Sequence, residues 1–162
     1  MDALEETVEE LSDNCDQHLI SSIVSPVLHP KLKNPVLWHP LMDWIVKELD
    51  GLDRKFMFIG GGISVTNSAI CMAYVMGYRK IIVYGVDSSF IDGEFYSYKA
   101  NLTSPRLFVD VELNGKTFKT TYDMKQQVVV MLKLVNMLKE QGCEVVIDAD
   151  GLMGEAYKTM DK

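Results

Sequence analysis

The run Lys55-Phe56-Met57-Phe58-Ile59-Gly60-Gly61-Gly62-Ile63-Ser64-Val65-Thr66-Asn67-Ser68 constrains the fold of this chain more than any other segment. It reads as an apolar strand that breaks through three glycines into a helix. Residues without Cβ let a ligand approach the backbone, and a helix start offers unpaired N–H groups and the positive end of a dipole. A phosphate ester is the natural guest, and Gly60, Gly61, Gly62, Ile63 and Ser64 are the candidate cradle. The other reading is a tight strand-to-helix turn that binds nothing.

The familiar phosphate motifs do not fit. Gly60 and Gly62 give G-x-G, but Val65 stands where the dinucleotide fingerprint needs its third glycine, although Asp87 follows at about the right distance. No Gly-Lys-Ser/Thr follows, which excludes a Walker-type loop.

With 162 residues, 48% of them hydrophobic, the chain is long enough for one domain with a real core, residues 1–162. No apolar run is long enough to span a bilayer, so membrane insertion is not expected. The acidic start has no signal-peptide character, and Cys15, Cys71 and Cys143 are widely spaced without C-x-x-C, which suits a reducing cytoplasm. The net charge of −7 equals the seven acids within residues 1–16, a stretch with no Lys or Arg. Leu4, Val8 and Leu11 at helical spacing make this an acidic amphipathic helix, and the neutral remainder disfavours nucleic acid as a partner.

Further on, β and α signals alternate. Strands are predicted at 19–24, 35–39, 56–59, 80–84 and 143–147, and helices at 41–49, 65–76 and 152–160. Asn114-Gly115 between 107–113 and 116–121 is a hairpin signal whose two-residue turn sets Val111 opposite Phe118 and Asp110 opposite Lys119. A long helix then follows, with Thr120 and Asp123 spaced as a capping box, Met124, Val128, Met131, Val135 and Leu138 on one face, and Gly142 as its stop. The fold class is α/β, a mostly parallel sheet covered by helices on both faces, with an antiparallel hairpin insertion. The unit from Phe56 to Tyr84 is expected to cross over right-handed.

The order and spacing of Gly60 to Gly62, Met76-Gly77-Tyr78-Arg79-Lys80, Tyr84 to Phe90, Asp92-Gly93 and Asp148 to Leu152 resemble the 6-hydroxymethylpterin pyrophosphokinase-like family. That family includes the motility accessory factors that glycosylate flagellin. The resemblance, from about Ile20 to the C-terminus, implies a Rossmann-like sheet and a transferase for a phosphate-activated small molecule. It also implies that the family's first strand and glycine-rich loop are missing here, which would leave an incomplete catalyst and a sheet that self-association could cover. The block Gly62 to Phe90 is similar to bacterial sialyltransferases using a cytidine-monophosphate donor, which places Ser64 in the donor loop and Tyr96 and Tyr98 where tyrosines bind the leaving phosphate. The late catalytic histidine of that group has no counterpart after His39.

Asp87 follows a strand at the edge where open α/β sheets gather ligand groups, so it is a candidate for Mg²⁺ or ribose binding; the other reading is a cap or turn residue organising Ser88 and Ser89. The candidate catalytic set is Asp87, Tyr96 and Tyr98, with Ser88 beside the glycine run in ligand binding and Asp87 as the metal residue. The leading expectation is glycosyl transfer from a nucleotide sugar. Diphosphate transfer to a pterin-like acceptor with ATP and Mg²⁺, or a truncated module without turnover, are the alternatives. His39 reads as a turn-fixing histidine, and Trp38, Trp44 and the methionines as core, with some of Met42, Met72 and Met76 as subunit contacts.

Overall fold

The computed structural model describes residues 16–53, 55–62, 64–90 and 107–160. The acidic segment 1–15, Ile63, and the stretch 91–106 with Tyr96 and Tyr98 lie outside the described residues. The chain falls into two compact units, Met1–Gly62 and Ile63–Lys162.

The first unit is a parallel sheet in the order β1 (His18–Ser21), β2 (Pro35–Pro40), β3 (Phe58–Ile59). Ile20 lies opposite Leu37 and His39 opposite Phe58. β1 stops three residues short of its expected end because Val24 N–H turns back to the Ser21 carbonyl at 3.0 Å. Prolines are tolerated in β2 because they occupy its first and last positions. Helix α1 (Asp43–Leu49) buries Ile45, and Ile20, Trp38, Pro40 and Ile59 are also buried. Trp44, expected in the core, is exposed instead. His39 packs edge-on against Phe56, with ring centroids 5.2 Å apart, and lies within the strand rather than in a turn.

The second unit pairs β4 (Lys80–Tyr84) in parallel with β7 (Glu144–Asp148), Lys80 facing Glu144 through to Tyr84 facing Asp148. Helix α2 (Val65–Val75) precedes β4, and helix α3 (Tyr122–Glu140) precedes β7. The stripe Val128, Met131, Val135 and Leu138 on α3 is buried, as its spacing of three and four residues requires, together with Leu134. It packs with Ile70 of α2, with Val83, Val145 and Ile147 of the strands, and with Leu152, Met153 and Ala156 of the short helix α4 (Leu152–Tyr157). Gly142, at φ 75°, ends α3 as expected. The cap falls one residue later than the sequence pattern suggests. Thr121 Oγ1 accepts from Met124 N–H at 3.2 Å, while Thr120 is wholly buried and points its hydroxyl elsewhere. Adjacent threonines satisfy the same local pattern, so tertiary contacts decide between them.

The hairpin of β5 (Phe108–Leu113) and β6 (Lys116–Thr121) has the expected register, Val111 opposite Phe118 and Asp110 opposite Lys119. Asn114 and Gly115 both have positive φ, 52° and 74°, the type I′ geometry that matches strand twist. The hairpin tip is latched to α4. Glu155 Oε1 accepts from Asn114 Nδ2 at 3.0 Å and Oε2 from Lys116 Nζ at 2.7 Å. These bonds, the one from Lys116 first, hold the Glu155 carboxyl below the ordinary glutamate range, against a desolvation that acts the other way. Because the folded carboxyl titrates lower than the unfolded one, the latch stabilises at neutral pH and is lost as pH falls through the folded value. Acid titration of Glu155→Gln, followed by circular dichroism, should therefore show a shallower loss of stability below pH ~4.3 than the parent protein. An unchanged acid profile would mean the latch contributes nothing.

Among the described residues no helix is long and apolar enough to cross a membrane.

Candidate functional site

The glycine run ends the first unit and Ser64 begins the described part of the second. Gly61 and Gly62 take φ of 129° and 68°, conformations that L side chains rarely adopt, so these two positions need glycine for the backbone alone. Ser64 is extended at φ −108° and ψ 126°, the N-cap geometry, but its hydroxyl makes no capping bond. The first backbone bond of α2 runs from Ser68 N–H to the Ser64 carbonyl at 3.1 Å. The N–H groups of the first turn precede that bond, and the turn contains no acidic side chain to neutralise the dipole.

Asn67 lies on this first turn. It is wholly buried, and among the described residues neither its Nδ2 nor its Oδ1 has a hydrogen-bond partner. An unpaired buried amide costs about 1–3 kcal/mol per group. Cα–Cβ bonds tilt toward a helix's N-terminus, so a side chain at this position is directed back over the same first turn. Helical periodicity did not single Asn67 out, because its neighbours Ile70, Cys71 and Met72 make α2 read as a buried helix. The available signal was one amide three residues after a serine cap, on an otherwise apolar segment.

Past the carboxyl end of β4 the sequence candidate Asp87 is joined by long-range bonds to the segment that follows β7, while Ser88 is bonded through its carbonyl to Thr120 of β6. Asp87 Oδ1 accepts from the N–H groups of Asp150 at 3.1 Å and Gly151 at 3.4 Å, and the Asp87 carbonyl accepts from Met153 N–H at 3.0 Å. Ser89 Oγ accepts from Leu152 N–H at 3.0 Å. Together they satisfy donors at the start of α4, so Asp87 acts as a remote cap in addition to any part in ligand binding. It does not organise Ser88 and Ser89 as a local turn residue would; its partners are 63 and 64 residues away. Asp87→Ala should lower stability by about 1–2 kcal/mol in urea denaturation, with Asp87→Asn milder because the amide oxygen can still accept. Both variants matching the parent would remove the capping role.

Ser88 sits in the left-handed region at φ 53°, is 8% exposed, and its hydroxyl has no partner among the described residues. Sequence reasoning missed Ser89, Gly151 and Thr120, whose parts depend on residues distant in the chain. Among the described residues no group of three or more His, Cys, Asp or Glu is gathered as a metal cage. Asp87 is thus the one sequence-based metal candidate, and its described bonds are to backbone N–H groups.

No protein-family model, curated protein or solved structure matches this chain.

Proposed function

We propose that this chain binds a phosphate-activated nucleotide and belongs to a transferase, with glycosyl transfer from a nucleotide sugar as its reaction. The first turn of α2 carries the reading: a serine cap whose hydroxyl makes no capping bond, first-turn N–H groups in a turn with no acidic side chain, and the wholly buried amide of Asn67, unpartnered among the described residues.

In glycosyl transfer the bond between the sugar's anomeric carbon and a phosphate oxygen breaks, and negative charge gathers on that phosphate. Backbone N–H groups fixed before the reaction stabilise this charge more than they stabilise the neutral sugar bond. The Ser64 hydroxyl can add a donor, and Asn67 can pair with one group of the nucleotide as donor and another as acceptor.

Calorimetric titration of the protein with CMP, UDP and ADP, each with and without Mg²⁺, tests the reading. Binding of at least one pyrimidine nucleotide without Mg²⁺ is expected. Binding of ADP only, and only with Mg²⁺, would favour diphosphate transfer instead, and no heat with any of the three would remove the nucleotide reading.

A further inference from the structure

Ser88 is held in a costly state by several independent bonds, and its side chain does nothing for the fold. A left-handed serine costs on the order of 1–2 kcal/mol, and such residues persist only where their surroundings over-determine them. Here the surroundings are identifiable. Thr120 Oγ1 donates to the Ser88 carbonyl at 2.7 Å, across 32 residues, from a side chain with 0% exposure. The same hydroxyl's other contact, to the Thr121 carbonyl, is at 3.4 Å and so much the weaker. On either side, Phe90 N–H donates to the Lys119 carbonyl at 2.8 Å, and Asp87 is tied to α4 by the bonds given above. Yet the Ser88 Oγ that this arrangement fixes is shielded and, among the described residues, unpaired. A glycine at 88 would avoid both the backbone strain and the unpaired hydroxyl, so neither is needed for folding.

We infer that Ser88 presents its hydroxyl to an oxygen of the bound phosphate ester, and that Thr120 is the positioning residue that holds it there. The inference rests on the nucleotide reading above for the identity of the guest, but it concerns the loop after β4 and not α2. The guest oxygen accepts from Ser88 Oγ–H and completes a bond that the protein alone leaves unmade.

Four variants, Ser88→Gly, Ser88→Ala, Thr120→Val and Thr120→Ser, titrated with the same three nucleotides, test this. Ser88→Gly should melt at or above the parent temperature yet bind at least tenfold more weakly, since a hydrogen bond to a charged group is lost without damage to the fold. Thr120→Val should also bind more weakly at a temperature where it is folded, and Thr120→Ser, which keeps the hydroxyl, should restore affinity. Ser88→Gly binding within twofold of the parent overturns the inference even if Thr120→Val fails to fold. If Asn67→Leu loses nucleotide while Ser88→Gly keeps it, this inference falls and the nucleotide reading stands. If the parent protein binds none of the three, both fall.

Discussion

Gly154→Ala should cost about 3 kcal/mol or more of folding stability, the upper end of what overpacking does to a well-filled core. A Cβ at this position would overlap the backbone carbonyl of Ala149, in the turn that leaves β7. Backbone cannot rotate away as a flexible side chain can. The helix cannot shift either, since α4 has only six residues and anchors Met153, at 0% exposure, and Leu152, at 3%. Gly151→Ala meets a similar obstacle, because its Cβ would press on the Asp87 carbonyl and, at 2.7 Å, on Asp87 Cβ. Gly142→Ala supplies the contrast: nothing lies within 4 Å there, and only its positive φ opposes a side chain. That change should cost about 1 kcal/mol. Urea denaturation of the three variants should rank Gly154 and Gly151 well above Gly142. A Gly154→Ala protein within 1 kcal/mol of the parent would mean that α4 is not seated against the β7 turn as described.

Asn67→Leu should move stability and binding in opposite directions. Leucine approximates the branched shape of the amide without its polar atoms, so two buried, unpaired groups disappear and the unliganded protein should gain about 1 kcal/mol. Nucleotide affinity should fall by more than about tenfold, since a guest that pairs with the amide loses those bonds. Thermal melting with and without CMP or UDP reads both effects. A variant that is less stable and binds as the parent does would make Asn67 a packing residue.

The parts of the fold that were legible in the sequence are those whose causes are local. Asn114-Gly115 can hardly be anything but a type I′ turn, and once the turn is fixed the register of Val111 with Phe118 follows. The α3 stripe, the Gly142 stop and the limits of β4 come from periodicity and punctuation in the same way. The candidate site was legible only at its backbone. Gly61, Gly62 and Ser64 announce a strand-to-helix turn, but the condition of the Asn67 amide depends on what surrounds it in space. Asp87 was recognised as a strand-end carboxylate, while its partners at Asp150 and Gly151 are brought to it by the pairing of β4 with β7. The choice of Thr121 over Thr120 as cap likewise turns on Ser88, whose carbonyl takes the Thr120 hydroxyl.

The central claim is that the first turn of α2 receives a nucleotide phosphate, and amide chemical shifts read that turn directly. In a ¹⁵N-labelled sample titrated with CMP and UDP, the account predicts that the Val65, Thr66 and Asn67 backbone resonances and the Asn67 side-chain amide shift with one common saturation curve, while Lys116 and Lys139 stay still. Saturable binding that moves other residues and leaves Val65 to Asn67 unchanged would contradict it, as would the absence of any shift at millimolar nucleotide.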